Sequence, residues 1–427
     1  MRISSLTVAL LAAIAAISGC SLAPANKVTS VAAESAVSPK SVQDTQDKLQ
    51  NEHLNEQQKD RVDISVLVAG NPDSAYSAIV QQYVNSLAAQ GYGSGSQGVW
   101  LQTDTNYLAG YQGTTPLPAA SLTKVATTLA ALQMFGAQHQ FVTVIGKTGT
   151  LQNGVLQGDL IVRGSQDPFF VWENAILLAS ALNKAGIRQV NGNLTIVGRF
   201  YMNFESNPRT SGNLLKQGLD ARLWSSEVET QYYTLPRGTP RSQVVIRGSV
   251  QVASSAPSQM QVIVQYPSLP LATILKKMNM YSNNAMAEML ARAVGGASAV
   301  KQKVVQITGV PSAEVQLANG SGLGEDNRIS PRAICAMFMA IDRYLQAQRL
   351  NIADVFFVSG QDPGVARDRA LPRNSVVKTG TLANVSALGG AISTSRHGRV
   401  WFAIVNYGGD IDGFRYGQDA LLQRLIR

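Results

Sequence analysis

Three short motifs, in a fixed order and each in a different local setting, limit what this chain can fold into. Ser121-Leu122-Thr123-Lys124 opens a run of good helix formers over 125–135. Ser282-Asn283-Asn284 separates two helical patterns, Leu271–Met280 and 285–294. Val376-Val377-Lys378-Thr379-Gly380-Thr381-Leu382 reads as a strand and leads into two more β-rich stretches, 385–392 and 400–407. In a helix beginning near Ser121, the lysine three positions on lies one turn along the same face, so its amine reaches the serine oxygen. Backbone N–H groups at that helix start also favour an oxyanion. A fold that serves this chemistry must bring a helix start, an interhelical loop and a strand to one place.

Each motif alone carries little, because the same chain holds a copy of each elsewhere. Ser375 and Lys378 make a second Ser-x-x-Lys, Ser211 and Asn213 a second Ser-x-Asn, and Lys147-Thr148-Gly149 a second Lys-Thr-Gly. Order and setting separate the sets. Ser375 begins a strand-like run, Ser211 falls in a polar, proline-containing stretch expected to turn, and Lys147 precedes Ser282 at what reads as a strand end. Alone, a helix-start serine is a cap and a Ser-Asn-Asn a loop; the agreement of all three settings overrides that.

With the ordered set, the whole chain beyond about residue 60 resembles the penicillin-binding-protein-4-type D-Ala-D-Ala carboxypeptidase/endopeptidase family. The resemblance rests also on Gly158-Asp159-Leu160-Ile161-Val162-Arg163-Gly164-Ser165-Gln166-Asp167-Pro168, and on Asn319-Gly320-Ser321-Gly322-Leu323 running on to Asn327-Arg328-Ile329-Ser330-Pro331. Two departures stand out. Only about 160 residues separate Ser121 from Ser282, so the inserted domain is shortened, and Asn319 stands where the family pattern has aspartate.

The resemblance implies a serine-type D-Ala-D-Ala carboxypeptidase, with endopeptidase action as an extension, working on peptidoglycan stem peptides through an acyl-enzyme on Ser121. Lys124, depressed by burial and by the second cation Lys378, takes the hydroxyl proton. Ser282 relays a proton to the leaving D-alanine, and Asn284 holds the substrate backbone. Lys378, Thr379, Gly380 and Thr381 form the strand that binds the terminal carboxylate and completes the oxyanion hole. β-Lactam antibiotics are expected as covalent inhibitors, and no metal or organic cofactor is called for. A β-lactamase shares the three motifs and stands as a second reading; a catalytically silent peptidoglycan-binding lipoprotein is the third.

The N-terminus reads as an export signal: Arg2, an apolar run over 6–17, then Ile17-Ser18-Gly19-Cys20. The last four residues look like a bacterial lipobox, which makes Cys20 the lipidation site of residues 1–20 and the membrane a partner. Residues 21–60 hold no aromatic side chain and are rich in Ser, Ala, Gln and Asn, a composition that reads as a flexible tether, reaching roughly 35 Å. A polar helix over 42–61 is the alternative there. The resulting location is the cell envelope, periplasmic, with the outer membrane favoured in a two-membrane bacterium.

The remaining composition excludes more than it adds. With two cysteines, Cys20 and Cys335, and three histidines, His53, His139 and His397, the chain has no disulfide framework or His-rich metal centre. The net charge of +9 is spread along the chain without interleaved aromatics, so no nucleic-acid partner is expected. Cys335, in an amphipathic run over 333–344, reads as a core thiol. The expected fold is α/β, a penicillin-binding/β-lactamase-like antiparallel sheet flanked by helices. The acyl-transferase domain spans 61–150 and 261–427, interrupted by a mostly β insertion over 151–260. Alternating runs at 155–162, 190–197 and 243–251 mark that insertion.

Overall fold

The computed structural model describes residues 70–427; the leader, Cys20, the tether and the helical alternative over 42–61 lie outside the described residues. The chain divides into two compact units. One is made of residues 140–269, the other of 270–427 together with the described residues up to His139.

The discontinuous unit is built on a six-stranded antiparallel sheet. Its order is Phe357–Val358, Val376–Leu382, Val385–Thr394, Gly398–Tyr407, Gln97–Gln102 and Tyr107–Tyr111. Alternation sends Val400, Phe402 and Ile404 to one face, where they form a core with Val80, Val84 and Leu87 of helix Ser74–Ala89 and Leu421 and Leu422 of helix Ile411–Leu425. The opposite face takes helix Pro331–Gln346. A methyl group on Gly389 would meet Ile334 and Phe338 there, and the fully buried Cys335 lies in that helix as a core thiol. Ser330 caps that helix and Pro331 starts it, the two residue types that a helix N-terminus favours.

Helix Thr123–Phe135 is buried around its whole circumference from Thr123 to Leu132, its polar Lys124, Thr127 and Thr128 included. Val125, Ala126, Leu129, Ala130 and Leu132 are all fully buried. Leu271–Met280 and Asn284–Val294 follow the helical patterns expected around Ser282. A small sheet of Val315–Gln316, Arg328–Ile329 and Leu117–Pro118 ties the segment entering the Ser121 turn to the end of the Asn319–Asn327 loop.

The inserted unit holds a five-stranded and a four-stranded sheet, with helices Trp172–Lys184, Pro208–Leu219 and Ser226–Tyr232. Each alternating run in its sequence is two strands, one in each sheet. Val155–Gln157, Gln189–Val190 and Val245–Ile246 pair in parallel in the smaller sheet, and Leu160–Ser165, Leu194–Arg199 and Val250–Ala253 in the larger. Between them runs a ladder of side chains on backbone: Asp159 Oδ1 accepts the Asn193 N–H at 2.7 Å, and Asn193 Oδ1 accepts the Ser249 N–H at 3.0 Å. Asp159 thus pins the crossing point of the sheets. Ser211-Gly212-Asn213 is not a turn but lies within helix Pro208–Leu219, because Asn207 caps that helix and Pro208 occupies its first turn.

Candidate active site

Ser121 sits in a single 3-10 turn, Ala120–Leu122, directly before helix Thr123–Phe135. Ala120 has φ +46°, a left-handed conformation that costs a non-glycine residue on the order of 1 kcal/mol. Lys124, on the first turn of the helix, is fully buried. Its amine Nζ donates to Ser121 Oγ at 2.9 Å, to Asn284 Oδ1 at 2.7 Å and to the Ser321 carbonyl at 2.7 Å.

The loop carrying Ser282 is as short as the sequence pattern implied. Tyr281 closes one helix, and Asn283 caps the next by accepting the Met286 N–H at 3.0 Å. Ser282 between them is held at φ +53°. Its hydroxyl accepts from Lys378 Nζ at 3.0 Å, and the same amine donates to the Thr379 carbonyl at 2.7 Å. Asn284 is therefore the first residue of its helix, and its amide serves the lysine.

Strand Val376–Leu382 is paired by Phe357–Val358 over Val376 and Val377 alone, while Val385–Thr394 pairs along its whole other edge. Gly380 has to be glycine. A Cβ there would lie 2.7 Å from the Ala119 carbonyl oxygen and 3.1 Å from the Ser121 nitrogen, so its absence lets the strand close on the Ser121 turn. Thr381 is exposed, and the guanidinium of Arg415 donates to its Oγ1 at 3.1 Å.

Burial pushes the Lys124 ammonium down to about 7, and the Glu288 carboxylate pulls it back up. Lys378 is pushed well below the usual lysine range, first by burial and then by the charge of Lys124. Burial is the first cause for both lysines, and the repulsion between two such close cations favours the neutral form as well.

The structure brings together Ser121, Lys124, Ser282, Asn284 and the strand from Lys378 to Thr381. The three decoys have other partners. Ser375 Oγ donates to the Pro372 carbonyl at 2.6 Å, Ser211 Oγ to the Glu205 carbonyl at 3.0 Å, and Lys147 Nζ bonds Gln261 Oε1 at 2.7 Å. Two neighbours of the site, Glu288 and Arg415, lie outside every motif, and Ser321 lies in the Asn319–Leu323 stretch without a role having been read for it. Asn319, the departure from the family pattern, is well bonded, its Oδ1 accepting the Gly322 N–H at 2.8 Å and its Nδ2 donating to the Leu323 carbonyl at 2.7 Å. Among the described residues no group of His, Cys, Asp and Glu is placed to hold a metal ion, and no helix is long and apolar enough to cross a membrane.

Known proteins share this arrangement of elements. A carboxypeptidase from Haemophilus influenzae, D-alanyl-D-alanine carboxypeptidase DacB, is 25% identical over 398 residues, which is 69% of this chain and 81% of that protein. The crystal structure of penicillin binding protein 4 from the same organism superposes with a TM-score of 0.61 at 20% identity, covering 81% of this chain and 99% of that one. A penicillin G-acylated predatory endopeptidase from Bdellovibrio bacteriovorus superposes at 0.63 with 22% identity, covering 77% and 89%. The last two establish the penicillin-binding fold expected from the sequence. The D-Ala-D-Ala carboxypeptidase 3 (S13) family matches over residues 80–203 and 210–425, which takes in both units and all three motifs. The chain belongs to that family and is a serine-type D-Ala-D-Ala carboxypeptidase.

Proposed function

We propose that Ser121 is the nucleophile that cleaves the terminal D-Ala-D-Ala bond of peptidoglycan stem peptides, with Lys124 as its base. The observation that carries this is the set of three acceptors around Lys124 Nζ. Two of them, the Asn284 amide oxygen and the Ser321 carbonyl, can only accept. A neutral amine gives its two N–H groups to them and turns its lone pair on Ser121, whose hydroxyl then donates. With Lys124 near 7, the neutral form is populated at neutral pH.

In acylation the Ser121 proton passes to Lys124 as the oxygen bonds to the scissile carbonyl carbon. The N–H groups of Ser121 and of the strand beside Gly380 receive the oxyanion. The C–N bond then breaks, and D-alanine leaves with a proton from Ser282, which regains one from the lysine pair. Water attacks the ester, gives a proton to Lys124, and Ser121 departs with one. Lys378, Thr379 and Thr381 hold the terminal carboxylate, and Arg415 adds its guanidinium beside Thr381. A solved relative acylated by penicillin G supports the same nucleophile reacting with β-lactams. The test is digestion of pentapeptide muropeptides and cross-linked dimers. D-Alanine release that disappears in Ser121→Ala is expected, and release by that variant contradicts the reading.

We also infer that Cys20 carries lipid and places the enzyme in the cell envelope, facing its polymer substrate. Cys20→Ser is expected to release the protein from membranes with its peptidase activity intact; membrane retention of that variant contradicts the anchor.

A further inference from the structure

The carbonyl of Ser321 reaches Lys124 from the turn that follows Asn319. Glu288 Oε1 accepts the Ser321 N–H at 2.8 Å and Oε2 the Gly320 N–H at 3.2 Å. Thr127 Oγ1, from the nucleophile's own helix, donates to the Gly320 carbonyl at 2.7 Å, and Asn319 Oδ1 takes the Gly322 N–H. The polar backbone groups of Gly320 and Ser321 are thereby all engaged. Gly322 has φ +84°, and a Cβ on it would lie 1.8 Å from the Ala120 carbonyl, so the turn is pressed against the nucleophile loop. Glu288 stands four residues after Asn284, on the same helix face. One face of one helix therefore serves Lys124 twice, directly through the Asn284 amide and indirectly through the Glu288 carboxylate.

We propose that Glu288 is the positioning residue of this site, its carboxylate fixing the Gly320–Ser321 peptide so that the Ser321 carbonyl holds the Lys124 amine with its lone pair toward Ser121. The inference rests on the nucleophile and base assigned above. Two successive N–H groups converging on one carboxylate leave the carbonyl of the second free to turn toward Lys124. Glutamine at 288 offers one oxygen to those two donors and sets an NH2 against the other, so the turn rotates and the lone pair loses its aim. The charged groups facing Lys124 are Glu288 and, from the strand, Lys378. Loss of the Glu288 charge also removes what favours the protonated lysine, so the neutral base appears at lower pH.

The experiment is the pH dependence of acylation by a fluorescent penicillin for the wild type, Glu288→Gln and Glu288→Asp, each shown to be folded by thermal unfolding. In the wild type the rate climbs with pH as Lys124 loses its proton. Glu288→Gln is expected to lower the plateau by at least about ten-fold and to move the ascending limb down by about half a pH unit or more. Glu288→Asp keeps the charge but shortens the reach, so its plateau falls while its limb stays in place. A wild-type rate in Glu288→Gln, or a lowered plateau with the limb unmoved, overturns the proposal. Should Glu288→Gln not fold, a wild-type plateau in Glu288→Asp overturns it as well. No Ser121 adduct in the wild type at any pH would instead overturn the reading beneath it.

Discussion

The amine of Lys378 donates to the hydroxyl of Ser282 at 3.0 Å, joining the last motif of the chain to the middle one. Residues 96 positions apart are thus hydrogen-bonded, and the lysine of the second Lys-Thr-Gly has other partners. Lys147 instead bonds Gln261 and the Gly149 carbonyl at the surface of the inserted unit.

The two lysines consequently separate site from decoy. Lys378→Ala removes a carboxylate partner and leaves Ser282 without its donor, and is expected to lower kcat/KM by well over ten-fold, above ~1.4 kcal/mol of transition-state stabilisation. Lys147→Ala is expected to change stability by no more than about 0.5 kcal/mol and to leave acylation unchanged. Matched thermal unfolding of the variants separates lost chemistry from lost structure. Equal losses, or a larger one at Lys147, would show that the wrong strand has been placed in the site.

Arg415 stands beside the proposed carboxylate site, outside the motif. Its guanidinium bonds Thr381, and its ion-pair partner Asp412, at 3.3 Å, is almost fully exposed and compensates it weakly. Arg415→Gln is expected to raise KM for a peptide ending in a free carboxylate, lowering kcat/KM by about five-fold, as a half-exposed charge-assisted bond is worth ~1 kcal/mol. A peptide ending in an amide should be indifferent to the change. Equal effects on both peptides contradict the assignment.

The three motifs and the helices framing Ser282 could be read because their signals are local. Apolar periodicity ran from Leu271 to Met280 and resumed past Asn284, and a strand of Val376 and Val377 led into Lys378. What escaped was set by distant partners. The alternating runs of the insertion keep period two across Gln157 to Leu160, and nothing in that period reveals that the strand has changed sheets. Ser211 looked like a turn because its neighbours are polar; its helix is stabilised by burying Leu215 and Leu219 against strands far along the chain. Glu288 resembles any polar residue on an amphipathic helix until Gly320 and Ser321, more than thirty positions later, fold onto it.

Asp167 supplies a test inside the inserted unit. It is 4% exposed, and burial pushes its carboxyl up to about 7 against the help of the Phe169 N–H at 2.9 Å. The folded form therefore holds a proton that the unfolded chain gives up near pH 4. Stability from this group is complete below that pH and is lost as pH rises to and through about 7, each pKa unit of difference being worth ~1.4 kcal/mol. Asp167→Asn, which keeps the acceptor without the charge, is expected to flatten that decline in urea unfolding between pH 5 and pH 8. Parallel slopes for variant and wild type would mean that the carboxyl is ionised when folded.

If Ser121 is the nucleophile, it and no other serine becomes acylated. Incubating the purified domain with a labelled penicillin and mapping the adduct by peptide mass spectrometry tests it most directly. One adduct is expected, on the peptide carrying Ser121, lost in Ser121→Ala and strongly slowed in Lys124→Ala. An adduct on Ser375 or Ser282, or none on folded protein, would contradict it.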